Sequence, residues 1–173
     1  MSNHVLYAQD EDFETRVDFK RSFWFDFGFG GGGQGSSSAS GLGNEVDVKF
    51  NISQKLYMSI AYEQISFDSG RDLEYLKSTS FRIGRLYKRK VGVFYYGIGP
   101  SYVRGSRYVA NQNGGRYESF DVASLTPQTG FLLSPGHVGI GFHMYGQINK
   151  EYSYIGMAVT FGLGVINERK KTN

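Results

Sequence analysis

Every second residue from Val17 reads Val17, Phe19, Arg21, Phe23, Phe25, Phe27, Phe29, and the set between reads Asp18, Lys20, Ser22, Trp24, Asp26, Gly28, Gly30. A two-residue period of this kind belongs to a β-strand, because successive side chains point to opposite faces. The pattern predicts a first strand over residues 17–30. The same period returns down the chain. Val46, Val48, Phe50 and Ile52 oppose Asp47, Lys49 and Asn51; Leu56, Met58, Ile60 and Tyr62 oppose Tyr57, Ser59, Ala61 and Glu63. Thr79, Phe81 and Ile83 alternate with Ser80, Arg82 and Gly84 in a fourth strand. A fifth begins near Val91 with Phe94, Tyr96 and Ile98, its facing left ambiguous by Val93 and Tyr95. Leu125, Thr129, Phe131 and Leu133 share a face of a sixth. Val138, Ile140, Phe142 and Met144 oppose Gly139, Gly141, His143 and Tyr145 in a seventh. The eighth sets Ile155, Met157, Val159, Phe161, Leu163 and Val165 against Gly156, Ala158, Thr160, Gly162 and Gly164.

The expected connections alternate in length. Residues 31–40 are a Gly/Ser run, read as a flexible loop. Ser53-Gln54-Lys55, Lys88-Arg89-Lys90 and Ser134-Pro135-Gly136 are short turns. Asp68-Ser69-Gly70-Arg71-Asp72, the polar stretch 104–116 and a segment near Asn149-Lys150-Glu151 are the longer links. Pro100 and Pro127 fall in expected strands and cannot donate a ladder bond. They are expected at bulges or above a rim, unless strands five and six end sooner.

Alternation alone admits two barrels. A soluble carrier keeps its apolar set inside around a ligand, whereas a membrane barrel turns it toward lipid and fills its interior with polar groups. The eighth strand's second set separates them. A soluble barrel would show water an uncharged glycine-rich stripe, where soluble surfaces carry Lys, Glu and Asp. Inside a narrow barrel, small residues make room for long ones. The expected interior polar network is Asp18, Lys20, Asp26, Asp47, Lys49, Glu63, Arg82, His143 and Tyr145. The expected lipid-facing set includes Phe23, Phe25, Phe27, Val48, Phe50, Ile140, Phe142, Met157, Val159, Phe161 and Leu163. The fold class is therefore all-β: a closed antiparallel transmembrane β-barrel of about eight strands in an up-and-down meander, over residues 14–167. A polar tail (1–13) and a charged tail (168–173) flank it.

Composition agrees. Of 173 residues, 24 are Gly, 13 Tyr and 14 Phe, with only 3 Pro, a balance that favours an all-β fold over disorder. The absence of Cys removes disulfides and thiolate chemistry. Net charge is +3, but basic and acidic residues are interleaved, so no nucleic-acid partner is expected. No apolar run reaches the roughly 18 residues of a membrane helix, which leaves barrel strands untouched. No leader-like segment follows Met1, so an exported protein would have had it removed from this chain.

On these grounds the chain resembles the small eight-stranded outer-membrane barrels of Gram-negative bacteria, the OmpA/OmpX/OmpW-like group. The likeness covers about residues 17–166 and rests on strand number, alternation and loop asymmetry. Tyr57, Tyr87, Tyr96, Tyr102 and Tyr154, near strand ends, are girdle candidates. The resemblance implies an integral protein of the bacterial outer membrane. Many members end on an aromatic residue that the assembly machinery reads. This chain ends Glu168-Arg169-Lys170-Lys171-Thr172-Asn173, which leaves that role to Phe161 to Val165 or to another signal.

The candidate chemistry is thin. Gly28, Gly30 and Gly33 match dinucleotide spacing, but no helix follows to meet a phosphate. His4, His137 and His143 lie too far apart for a metal cluster, and residues 68–72 lack a calcium loop's terminal Glu. Asn51-Ile52-Ser53 is a formal glycosylation triplet without expected use at a periplasmic turn. Some barrels of this type deacylate lipid A with a His and a nearby Ser; here Tyr145 stands two residues after His143. The expectation is a non-enzymatic protein without cofactor or metal, a structural, adhesive or assembly-partner module. Its partners would be outer-membrane lipid and other envelope proteins met through loops, 31–40 and 104–116 foremost. A narrow channel, a lipid A-modifying enzyme and a lipocalin-like carrier are the alternatives.

Overall fold

A computed structural model describes residues 23–34, 40–67, 74–89, 91–111, 114–134 and 137–164. It contains eight strands: β1 (Phe23–Gln34), β2 (Ser40–Asn51), β3 (Leu56–Phe67), β4 (Tyr75–Arg89), β5 (Gly92–Asn111), β6 (Gly114–Leu133), β7 (Val138–Gln147) and β8 (Tyr154–Gly164). Each pairs antiparallel with its sequence neighbour, and β1 pairs with β8, so the sheet closes in chain order. Closure leaves no unpaired edge around the wall.

Parity decides the two faces. Phe23, Phe25, Phe27 and Phe29 point out of β1, while Trp24, Asp26 and Gly28 point in. On β8, Ile155, Met157, Val159, Phe161 and Leu163 are exposed, and Gly156, Ala158, Thr160 and Gly162 are buried. In β5, Val93 and Tyr95 face inward and Phe94, Tyr96 and Ile98 outward. Phe50, Ile140 and Phe142 are likewise exposed and Val48 is half-buried. The wall is apolar outside, and its charged side chains lie inside together with aromatic and aliphatic ones.

Several elements differ from expectation. Residues 31–34 and Ser40 extend β1 and β2 instead of forming a loop, pairing as far as Gly33↔Ser40. The expected strand portion 17–22, with Asp18 and Lys20, lies outside the described residues, as do the rest of the Gly/Ser loop (35–39), the 68–72 loop and both tails. Stretch 104–116 is not a long loop: β5 and β6 stay paired from Gly92↔Leu133 to Asn111↔Gly114. Its polar composition reflects a ribbon wetted on both sides, which needs no alternation.

The prolines lie inside the strands, and each interrupts a ladder. The β4–β5 pairing runs to Ile83↔Ile98 and resumes at Ser80↔Ser101, skipping Pro100. The β6–β7 pairing stops at Gln128↔Tyr145, beside Pro127, with one further bridge at Leu125↔Ile148. A missing N–H explains both gaps. The ladder between the two prolines' own strands is unbroken. At the short β2–β3 turn, Ser53 Oγ accepts the N–H groups of Lys55 and Leu56 at 3.3 and 3.1 Å.

Candidate functional site: a sealed lumen and a protruding ribbon

The lumen has three layers. At the short-turn end, Trp24, Tyr57, Leu86, Val93, Tyr95 and Leu132 form one apolar cluster. At the far end, Ile65, Phe67, Leu76, Val103, Tyr145, Tyr152, Tyr154 and Ala158 form another. Between them lies an ionic layer on β1–β4 and β7. Tyr57 and Tyr154, girdle candidates by sequence, are thus corrected to the interior. They share parity with Glu63 and with Gly156, so the alternation already pointed inward. Tyr87, Tyr96 and Tyr102 are on the outside, Tyr87 stacked on Tyr96.

Glycine makes room for the large rings. Tyr57 is paired with Gly84, Tyr95 with Gly130 and Tyr145 with Gly156. A Cβ on any of these glycines would run into the tyrosine opposite it. The small residues therefore serve the adjacent strand rather than the far wall. Aromatic cover of a strand glycine is a known way to pin register.

Two cations organise the ionic layer. Lys49 Nζ lies 2.5 Å from Asp26 Oδ2 and 2.6 Å from Asp47 Oδ2, with the Tyr95 ring centroid 4.7 Å away. Asp26 and Asp47 are directly opposite in the β1–β2 register, where two like charges repel unless a cation sits between them. Trp24 Nε1 donates to Asp26 Oδ2 at 3.2 Å. Arg82 donates to Glu63, to Glu45 Oε1 at 2.9 Å and to Gln128 Oε1 at 2.7 Å, with Asp47 Oδ2 at 3.6 Å. Gln128 Nε2 then donates to the Tyr57 hydroxyl at 2.7 Å. Glu63 Oε2 accepts from Ser78, Gln147 and Tyr154 at 3.0, 3.2 and 2.8 Å. His143 Nδ1 lies 2.7 Å from Glu45 Oε2, its ring held against Tyr95 and Tyr145.

Asp26, Asp47, Lys49, Glu63, Arg82, His143 and Tyr145 thus meet in one buried cluster. Sequence reasoning missed Glu45, because its strand was begun one residue late at Val46. Extending the parity of Asp47 and Lys49 by one step reaches it. Gln128, Gln147 and Thr126 were missed as well, since neutral amides and hydroxyls carry no charge signal.

Buried ion pairs persist where charges and hydrogen bonds compensate one another, and an apolar cluster flanks the ionic layer on each side. No group of three or more metal-ligating side chains occurs among the described residues. Gly28 and Gly33 lie on β1, a strand, so no helix N-terminus backs the dinucleotide spacing. Asn51, of the glycosylation triplet, is buried.

The second region is the β5–β6 ribbon above the wall. β4 pairs with β5 only as far as Tyr75↔Ser106, and β7 reaches β6 only at Gln128. Apart from the Leu125–Ile148 bridge, the outer side of β6 from Gly114 to Thr126 has no ladder partner among the described residues. Arg107 Nη1 meets Glu151 Oε2 at 3.3 Å, and Phe120 stacks on Tyr152, so the β7–β8 link buttresses the ribbon's base. Burial there pushes the Tyr152 hydroxyl up to about 12, with Glu74 adding to the effect. Further out the contacts are local: Arg116 pairs with Glu118 at 2.6 Å, and Tyr108 packs edge-on to Tyr117.

No protein-family model matches the chain, and no curated protein sequence does. Solved structures do. The chain is similar to Neisserial surface protein A (TM-score 0.58, 16% identity, covering 85% of this chain and 97% of that one). It is similar to Ail, the attachment invasion locus protein of Yersinia pestis (0.57, 12%, 83% and 97%). It is also similar to the outer membrane protein OprG from Pseudomonas aeruginosa (0.58, 10%, 85% and 97%). At these identities the likeness is one of fold: a small closed transmembrane β-barrel.

Proposed function

We propose that this chain is a non-enzymatic integral protein of the bacterial outer membrane that works as a contact module, its barrel an anchor and its β5–β6 ribbon the contact surface. The carrying observation is the ribbon itself: paired strands that outrun their neighbours and leave one β6 side without a ladder partner among the described residues, apart from the Leu125–Ile148 bridge. Such an edge accepts an added strand. The apolar outer wall supports the anchor half, since only hydrocarbon covers Phe25, Phe142 and Val159 without cost. Neisserial surface protein A is by its name a surface protein, and Ail an attachment protein, which fits the same reading.

The rivals fit less well. A solute channel needs a continuous wet path, and buried apolar clusters containing aromatic rings flank the ionic layer on both sides. A lipid A-modifying enzyme needs its base at the outer wall, whereas His143 is enclosed with Glu45. A soluble carrier would place its apolar set inside.

The test replaces residues 105–120 by a two-residue turn. Cells displaying the shortened barrel should lose attachment to epithelial or matrix-coated surfaces, while the purified protein still resists SDS and shifts mobility on boiling. Attachment equal to that of the full-length barrel would refute the contact role. Partitioning of the full chain into the aqueous fraction without detergent would refute the anchor.

A further inference from the structure

The β5–β6 ladder is unbroken, so the residues of β6 alternate between those whose N–H and C=O groups face β5 and those whose groups face away. Two observations fix which are which. Leu125 exchanges N–H and C=O bonds with Ile148 across the outer side, at 3.0 and 2.9 Å. Tyr108, opposite Tyr117, turns its N–H away from β6 to Glu74 Oε1 at 2.7 Å. Both place Gly115, Tyr117 and Ser119, which share the parity of Leu125, with their N–H and C=O groups toward the side where β6 has no ladder partner among the described residues. From Ser124 toward the wall the β7–β8 link covers that side: Ser124 Oγ donates to the Ile148 carbonyl at 3.1 Å and accepts from Asn149 Nδ2 at 3.3 Å.

Exposed edges are usually guarded by Lys, by Pro or by inward-pointing charge. Residues 114–120 read Gly-Gly-Arg-Tyr-Glu-Ser-Phe, with neither Lys nor Pro and with one charge of each sign. Arg116 Nη2 meets Glu118 Oε1 at 2.6 Å on the same face. Reversed about Tyr117, this segment is its own complement. Arg116 falls opposite Glu118, Tyr117 opposite Tyr117, and Phe120 opposite Gly114. The charges then alternate in sign around a square, each between two opposites. Opposite charges across a ladder are favourable and like charges are not. Moving the centre by one residue sets Arg116 against Arg116 or Glu118 against Glu118. Phe120 meets only a glycine, so its stack on Tyr152 is undisturbed.

We propose that the ribbon's partner is a second copy of this chain, joined edge to edge through residues 114–120 of β6 in an antiparallel register centred on Tyr117. This rests on the ribbon being the contact surface and names what it contacts. Gly115, Tyr117 and Ser119 of one copy exchange backbone bonds with Ser119, Tyr117 and Gly115 of the other, a two-fold isologous contact. The two-fold axis of such a pair is normal to the sheet. The sheet normal of a barrel wall is radial and lies in the membrane plane, so the axis turns one barrel over relative to the other. Copies in one membrane all point the same way and cannot meet like this. Copies in two apposed membranes can, and the contact joins one membrane to another.

The full-length barrel is reconstituted into phosphatidylcholine vesicles of two colours, and cross-colour clustering is read by fluorescence cross-correlation. Wild-type vesicles should cluster at least tenfold above protein-free ones. R116E and E118R should each lose at least fivefold against themselves, since each sets like charges opposite. R116E vesicles of one colour mixed with E118R vesicles of the other regain opposite pairs and should recover at least half the wild-type signal. K150E, the same charge change on the β7–β8 link outside the overlap, should cluster like wild type. If a reversal fails the boiling-shift check, R116Q and E118Q carry the test, each losing at least twofold. Wild-type vesicles that stay apart, single variants that cluster like wild type, or a mixture no better than either variant alone overturns the proposal. A loss in K150E equal to that in R116E would mean a bulk charge effect and would also overturn it. None of these readouts uses a foreign surface, so failure here is distinct from failure of the ribbon's contact role, which is read by attachment of cells to epithelial or matrix-coated surfaces.

Discussion

Arg82 and Arg104 make the same kind of bond in opposite surroundings. The Arg82 guanidinium is fully buried in the lumen with Glu63, Glu45 and Gln128 around it. Arg104 meets Asp121 on the ribbon with side chains 60% and 50% exposed. Water screens the second pair, while the first sits where each charge depends on the others for solvation. The hydrogen bond to Arg104 holds the Asp121 carboxyl below its usual range, yet that changes little in stability on an exposed ribbon. The charges of the lumen depend on one another, whereas a charge on the ribbon can be replaced at little cost in stability.

The comparison breaks most sharply at its buried end. Arg82→Met leaves Glu45 and Glu63 without their shared cation, and about 3–5 kcal/mol should be lost, read as a lower urea midpoint in the boiling-shift assay. Lys49→Met should fall in the same range, because Asp26 and Asp47 would face each other directly. If both variants unfold at the wild-type midpoint, the lumen is not the ionic framework described. Gly130→Val drives a side chain into the Tyr95 ring and should cost about 1–3 kcal/mol; the companion G130V/Y95A should recover part of it. Tyr57→Phe removes the hydroxyl that accepts from Gln128, a change of about 1 kcal/mol. At the exposed end, Arg104→Gln should leave the midpoint unmoved at low and high salt. A measurable drop would show the ribbon to be structurally coupled to the wall.

Much of this was legible in the residues. The Phe ladder of β1 and the Gly/Ala/Thr set of β8 announce strands with one apolar face, because a period of two survives any packing. The same parity contained the inward placement of Tyr57, Tyr154 and Glu45. Nearness to a strand end obscured the first two, and a strand begun one residue late obscured the third. The β5–β6 ribbon was not legible: a strand wetted on both faces has the composition of a loop, and only its pairing to residue 111 reveals it. Pro100 and Pro127 were expected at bulges or above a rim; each instead removes a single donor on one side, and the opposite ladder carries the strand through.

Local order along the chain thus determined which side chains share a face, since alternation is a property of the extended backbone alone. Which of them touch was decided by closure. Lys49 reaches Asp26, Arg82 reaches Glu45 and Gln128, and Tyr154 reaches Glu63 across separations of 23 to 91 residues. No local rule spans such distances; the register of eight strands, locked when β8 meets β1, does.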